Sequence, residues 1–397
     1  MSALRVAIVA AHIFMHEDIL PKVIFSPGTL AIDLVNTLEQ QGVDVTLYSA
    51  GPISAVKKNK YADLTLFEAE LARRGDNYLD LLKKHPLTFV TLARQVQSNL
   101  IAEAYEAANK GTYDIVHVYH NEEELALAFS KLVTKPVVFT HHDPFNFLIR
   151  YKGNMPLYKD RNWLSISDAQ RKNMPEDTNW LGTIYHGLSD SELYPVKNPA
   201  NNYVAYLGRI ISPKGVHLAI AAVKAYNKQS DEPLTLKICG KHYADDAKDS
   251  YWQTKILPEL DDPYIEYIGF INNSAEKRIF LGNARALLVP SLFDEPFGMV
   301  SIEAFACGTP VIALDSGALP EVVESGKTGI IVTKAFKGSS NEVDEKTIIH
   351  ALTDAIKASE SISRQACRRA YKERFTLEHM ASEHHKVYLA LNQQNDR

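Results

Sequence analysis

Short, uninterrupted apolar runs recur along this chain, and each one leads into a loop and then a stretch with helical spacing. Val6-Ala7-Ile8-Val9-Ala10 opens the series. A run that is apolar at every position, with no polar alternation, is a strand covered on both faces, which in practice means a parallel sheet with helices packed above and below. After it come helical spacing from about Gly28 to Gln41, a strand at Val43–Tyr48, a long helical pattern from about Leu87 to Asn109 with Gly111 as its cap, and strands at Ile115–Val118, Pro136–Thr140 and Leu164–Ile166. Ser167 or Asp168 is placed to cap the helix after the last of these. This is the rhythm of one doubly wound domain. A polar stretch with Pro195 and Pro199, Asp190–Asn202, then reads as a linker. Beyond it the rhythm restarts, with strands at Val204–Leu207, Leu234–Cys239, Ile265–Ile268, Ala286–Val289, Val311–Ala313 and Gly329–Val332. The closing stretches Ile348–Ala358 and Thr376–Asn392 are helical in pattern. The expected class is α/β with two Rossmann-like parallel-sheet domains: 1–188 completed by a C-terminal helix at 376–397, and 189–375. A length of 397 residues, 46% hydrophobic, agrees with two cores.

Composition removes several partners. Lys plus Arg number 43 against 48 Asp plus Glu, a net charge of −5 with no basic excess, so a nucleic-acid partner is not expected. Cys239, Cys307 and Cys367 are far apart, odd in number and without metal-ligand spacing; they read as reduced thiols. No apolar run is long enough to span a bilayer and no cleavable leader is apparent, so the expectation is a cytoplasmic protein without a transmembrane segment. Oligomeric state is not legible.

The stretch Val289–Pro310 carries the chemistry. It reads as strand, loop, helix, cap and strand, and its loop lies at the carboxyl end of a parallel strand, where open α/β sheets place ligands. The following helix offers N–H groups with no partner inside the helix, suited to a diphosphate or to sugar hydroxyls. Glu303 lies in that helix among Ile302, Ala304 and Phe305, so its carboxylate is partly buried and needs donors; the two adjacent hydroxyls of a ribose would supply them. Glu295, in the loop, is free to meet hydroxyls of a sugar. Two ordinary surface glutamates are the plainer alternative.

Glu295 and Glu303, eight positions apart, with Pro296-Phe297-Gly298 between them and Ala304-Phe305-Ala306-Cys307-Gly308-Thr309-Pro310 after, resemble glycosyltransferase family 4. The likeness continues through Gly317–Val323 and Gly326–Gly329, and back to Ile268-Gly269-Phe270 and Tyr206–Arg209. It covers most of the C-terminal half and the N-terminal half loosely. It implies the GT-B architecture, two facing Rossmann-like domains with a cleft between them, and transfer of a sugar with retention of anomeric configuration. Arg209 and Lys214 match the basic pair that holds the donor diphosphate, and fixed cations there would stabilise charge growing on the leaving group without a metal. The loop Phe297-Gly298-Met299 would contact the sugar through its backbone. Thr140-His141-His142 matches a Thr-x-His pattern with its histidine beside the donor sugar, which favours His142, with His141 as the alternative. Gly28 stands where the family has paired glycines near phosphate or sugar, and Thr29 departs from that pair. His186, in Tyr185-His186-Gly187, reads as structural; His117 and His120 bracket another strand end; Glu122-Glu123-Glu124 reads as helix-start charge.

The reading that results is a metal-independent, retaining hexosyltransferase with no cofactor. Its small-molecule substrates are a nucleotide diphosphate sugar, UDP-glucose first, and an unidentified hydroxyl acceptor. A nucleotide-sugar epimerase or phosphorylase and a non-catalytic sugar-nucleotide-binding subunit are the alternatives on the same architecture. An NAD-dependent oxidoreductase is set aside because no Gly-x-Gly occurs. Closure of the two domains on the donor is a further expectation of the resemblance.

Overall fold

The protein is described by a computed structural model that covers residues 3–23, 25–119, 124–242, 249–338 and 342–395. The expectations for His120, Glu122 and Glu123 lie outside those residues. The chain divides into two compact units: Met1–Ile166 with Gln170–Ile184 and Leu377–Arg397, and Ser167–Ala169 with Tyr185–Thr376.

The first unit is built on β1 (Arg5–Ala10), β2 (Asp44–Ser49), β3 (Asn59–Tyr61), β4 (Ile115–Tyr119), β5 (Val137–Thr140), β6 (Asn162–Ser165) and β7 (Trp180–Thr183). They form one parallel sheet in the order β3-β2-β1-β4-β5-β6-β7. The apolar run of β1 sits between β2 and β4, with Val6 opposite Val45 on one side and Ile115 on the other. The helix Pro86–Asn109 buries Phe89, Ala93, Val96, Leu100, Ala104 and Ala108, three or four apart, against the sheet core that includes Val9, Val116, Val118 and Phe139. Pro86 starts this helix, and Gly111 ends it: Gly111 N–H donates to Ala108 at 2.9 Å and Thr112 N–H to Ala107 at 3.0 Å, the paired bonds of a glycine-terminated helix.

The second unit contains β8 (Tyr203–Leu207), β9 (Thr235–Cys239), β10 (Ile265–Gly269), β11 (Leu287–Val289), β12 (Val311–Leu314) and β13 (Gly329–Val332), again all parallel, in the order β10-β9-β8-β11-β12-β13. Its core joins Val204, Leu236, Leu288 and Ile312 from the sheet to Leu218, Ile220, Leu352 and Ile356 from the helices Val216–Asn227 and Glu345–Ala358. The polar stretch Asp190–Asn202 is not a free linker. It belongs to this unit, where Arg368 pairs with Asp190 and donates to the Leu193 carbonyl at 3.0 Å. All three cysteines are buried free thiols. No helix among the described residues is long and apolar enough to cross a membrane.

The C-terminal helix Leu377–Asn395 returns to the first unit and contacts the helix Ser26–Gln40. Its Tyr388 hydroxyl lies 2.6 Å from His117 Nδ1, and His117 Nε2 lies 2.8 Å from Thr140 Oγ1. His384 stacks obliquely against His117 and bonds the Met380 carbonyl through Nδ1 at 2.8 Å. Burial pushes His384 down to about 4, and burial with the neighbouring His384 holds His117 well below the ordinary histidine range. Below about pH 6.5 the unfolded chain takes up protons that the folded chain refuses. Stability is therefore expected to fall as pH drops from about 6.5 to about 4, by roughly 2–3 kcal/mol for His384 alone, whose own share levels off below that. Urea midpoints at about pH 7 and about pH 4.5 check this. A His384→Gln chain should show a smaller drop than the native chain, and an equal drop in both would remove His384 as a cause.

Candidate functional site

Three loops meet at the carboxyl end of the second sheet. The loop after β8 carries Gly208, Arg209, Ile210 and a short turn at Ser212–Lys214, closed by Gly215 with φ +70°. A Cβ at Gly215 would stand 2.0 Å from the Pro290 carbonyl oxygen, so only glycine lets this loop lie on the one that follows β11. The two loops are then stitched together: Leu292 and Phe293 N–H both donate to the Pro213 carbonyl, at 2.8 and 3.1 Å. The third loop, after β12, comes in through Ala318 N–H, which donates to the Glu295 carbonyl at 2.8 Å, and the Ser316 hydroxyl, which donates to the Ser291 carbonyl.

This stitching brings Lys214 to Glu295. Lys214 Nζ stands 2.5 Å from Glu295 Oε1, both side chains are largely buried, and the ammonium also lies 5.1 Å from the Phe293 ring centre. Arg209 differs. Its carbonyl accepts the Tyr206 hydroxyl at 2.9 Å and Ile210 beside it is buried, so the backbone is fixed while the side chain is exposed. Among the described residues no carboxylate pairs with its guanidinium. The site thus holds one compensated cation and one uncompensated cation, on adjoining turns of the same loop.

Gly298, with φ +99°, starts the helix Met299–Ala306. The first N–H groups of that helix, at Met299 and Val300, have no carbonyl to reach inside it. Phe297 contributes only backbone to this end. Its ring is buried against His186, Tyr185 and Phe375, with centroids 5.0, 5.8 and 6.2 Å away. Ser301, in the first turn, is a residue that sequence reasoning misses: its Oγ is buried with no hydrogen-bond partner among the described residues, and it stands 3.7 Å from where a Cβ on Gly298 would be. An unpaired buried hydroxyl costs about 1–3 kcal/mol, which a ligand oxygen at this helix end would offset.

Glu303, one turn further on, has a partner that the sequence did not reveal. Lys277 Nζ, from the helix Ser274–Asn283, lies 2.7 Å from Glu303 Oε1. Burial by itself would lower the Lys277 ammonium, but the Glu303 charge and hydrogen bond outweigh it and leave it raised. One oxygen of this carboxylate is therefore already engaged.

In the first unit the histidines separate. His141 is buried in an aromatic cluster, its ring 4.6 Å from Tyr151 and 4.9 Å from Phe145. His142 packs on Tyr119 instead, edge to face at 4.4 Å, and His117 is held by Tyr388 and Thr140 as described. Gly28 is closely packed within its own unit. Its missing Cβ would meet Met15 Sδ, Phe25 Cδ1 and Leu20 Cδ1 at 2.8–2.9 Å, and its N–H already donates to Phe25 O at 3.1 Å. Within this unit, the close approach it permits is made by these side chains. Among the described residues no group of acidic, histidine and cysteine side chains could hold a metal ion.

With this geometry in hand, comparison with known proteins is informative. Residues 194–372 match the family model described as glycosyl transferases group 1. A putative glycosyltransferase, YtcC of Bacillus subtilis, is 25% identical over 359 residues, spanning 82% of this chain and 83% of that protein. A glycogen synthase of Mycobacterium tuberculosis is 34% identical over 137 residues, 34% of this chain and 31% of that protein. Among solved structures, a sucrose-phosphate synthase from Thermosynechococcus elongatus aligns over 98% of this chain and 100% of its own with a TM-score of 0.71 at 16% identity. HepE of Anabaena, in complex with UDP and glucose, aligns over 97% and 99% with a TM-score of 0.64 at 15% identity. The structural likeness shows the fold: two Rossmann-like parallel-sheet units of the GT-B kind. The family match and the relatives support a glycosyltransferase.

The Lys277–Glu303 pair yields a stability test. Lys277→Ala leaves a mostly buried carboxylate unpaired and is expected to cost about 2–4 kcal/mol. Lys277→Ala with Glu303→Gln should cost clearly less, because the stranded charge is gone. Chemical denaturation of the two variants and of Glu303→Gln closes the cycle, and additive losses would mean that the pair is not coupled.

Proposed function

We propose that this protein is a retaining glycosyltransferase that moves a hexosyl unit from a nucleotide diphosphate sugar to a hydroxyl acceptor, without a metal and without a separate cofactor. The observation that carries the proposal is the pair of cations on the loop after β8, Arg209 uncompensated and Lys214 held by Glu295, beside the open start of the helix Met299–Ala306. A donor diphosphate needs such an arrangement: charges for its oxygens, and N–H groups for the rest. When it binds, Lys214 has a competing anion, and Glu295 is released in part to accept from hydroxyls of the sugar. Glu303, beside Lys277, takes the ribose with its second oxygen.

The chemistry then follows from charge. The bond between the anomeric carbon and the phosphate oxygen breaks, negative charge grows on the diphosphate, and Arg209 with Lys214 stabilises that charge more in the transition state than in the ground state. The acceptor oxygen bonds to the anomeric carbon on the face the phosphate leaves, and the departing phosphate oxygen takes the acceptor proton. Front-side attack of this kind retains configuration. UDP-glucose is the first donor to test, because HepE, of the same fold, is described with UDP and glucose. We also assign a role in transfer to His142, on the Thr140-His141-His142 pattern that resembles family 4.

Arg209→Ala and Lys214→Ala are each expected to lower the rate of donor consumption about 10²-fold or more. Arg209→Ala should keep a melting temperature close to the native value, whereas Lys214→Ala should lower it, because the largely buried Glu295 carboxylate loses its partner. Near-native turnover in the double variant would overturn the diphosphate assignment. Rates should be equal in EDTA and in magnesium, and a strict need for a divalent ion would mean that the leaving group is stabilised by metal and not by these side chains. Proton NMR of the first-formed product should show the donor's anomeric configuration, and an inverted product would exclude front-side attack.

A further inference from the structure

Three of the four most exposed large apolar side chains of the described residues lie together. Ile149, Leu132 and Leu157 are 92%, 75% and 74% exposed, and all three belong to one region of the first unit. Ile149 opens the helix Ile149–Asn154, which runs directly into the turn Met155–Tyr158 carrying Leu157. Tyr151 and Met155 point inward and are buried, so Ile149 and Leu157 mark the outer side of the same stretch. Leu132 joins them from the turn Ser130–Leu132: Lys131 Nζ lies 5.9 Å from the Tyr158 ring centre, and one surface hollow of about 330 Å³ is lined by residues of both segments, Ser130 and Val133–Val137 from one and Asp160–Asn162 from the other.

The charges around these tips are mostly positive. Residues 130–135 and 147–161 contain Lys131, Lys135, Arg150, Lys152, Lys159 and Arg161 against one acidic residue, Asp160, in a chain whose net charge is −5. Arg150 and Lys159 are paired with Glu124 and Asp177 from neighbouring segments, and for Lys131, Lys135 and Lys152 no ion pair is present among the described residues. Aliphatic tips protruding singly, with cations between them, suit a soft anionic surface.

We propose that this face of the first unit docks on an anionic lipid bilayer. The apolar tips enter the boundary between headgroups and acyl chains, and the lysines meet lipid phosphates. Two features favour a bilayer over a protein. The tips stand on a convex helix and two turns, whereas a protein partner gains most from large aromatic anchors set in complementary pockets. A second copy meeting this one about a two-fold axis would set the same cations against themselves. The inference does not depend on the proposed reaction.

The test is flotation of the full chain with vesicles of phosphatidylcholine alone or with about a third phosphatidylglycerol. Binding is expected to the anionic vesicles, about ten-fold weaker to the neutral ones, and weakened by salt. Leu132→Glu with Ile149→Glu and Leu157→Glu should lower partition about ten-fold or more. Leu87→Glu, at a site 80% exposed but outside this region, should leave it unchanged. Should the triple variant fail to fold by circular dichroism, Lys131→Glu with Lys152→Glu tests the same face by charge reversal and should also lose binding. No partition, equal partition into neutral vesicles, an unaffected variant, or a dimer of the native chain that the substitutions dissolve would each overturn the proposal.

Discussion

One missing side chain governs the candidate site. At Gly215 a Cβ would collide with the Pro290 carbonyl, and because it is absent the loop after β8 can rest on the loop after β11. The Pro213 carbonyl then accepts from Leu292 and Phe293, Lys214 reaches Glu295, and Arg209 is left outside with its backbone pinned by Tyr206. None of these contacts is strong alone, since a hydrogen bond adds about 1 kcal/mol net. Their effect is positional: two cations and one helix start are fixed at a sheet end where the strands themselves supply no charge. A preorganised arrangement of this kind is what electrostatic catalysis requires, because fixed charges need not reorganise when the leaving group departs.

The strands readable in the sequence are those covered on both faces. β1 from Val6, β8 and β12 are continuous apolar runs, and β4 departs from one only at the buried His117, because these strands are covered on both faces. β3 and β7 escaped notice for the same reason. Asn59-Lys60-Tyr61 and Trp180-Leu181-Gly182-Thr183 are edge strands, their residues partly or fully open to solvent, so no apolar pattern is imposed on them. The helix Arg364–Arg374 was missed because its buried residues, Ala366, Cys367, Ala370 and Tyr371, are mostly small and set among arginines. Position along the chain also marked Arg209, Lys214 and Glu295, which follow the ends of β8 and β11. The Lys277–Glu303 pair and the unpaired Ser301 hydroxyl were illegible, because each depends on how helices far apart in sequence are set side by side. Gly28 shows the limit of glycine as a signal: it announces a close approach, here by Met15, Phe25 and Leu20, without saying what approaches.

The first unit spends its histidines differently from what their number suggests. His117 and His384 lie fully buried and neutral against Tyr388 on the C-terminal helix, which fastens that helix to β4 through a hydrogen bond and ring packing. His141 is packed among aromatics, and Tyr119 lies under His142. Both adjacent histidines that the sequence offered are buried against aromatic rings. On the outer face of this unit, Ile149 and Leu157 stand exposed.

The central claim is that the cations after β8 recognise a diphosphate, and calorimetric titration of the native chain with uridine, UMP and UDP tests it most directly. If Arg209 and Lys214 meet both phosphates, UDP should bind with uridine and UMP each weaker by about ten-fold or more, and the advantage of UDP should shrink as salt is raised. Uridine binding as tightly as UDP, with no response to salt, would contradict the account, because the nucleoside and not the diphosphate would then be what the site holds.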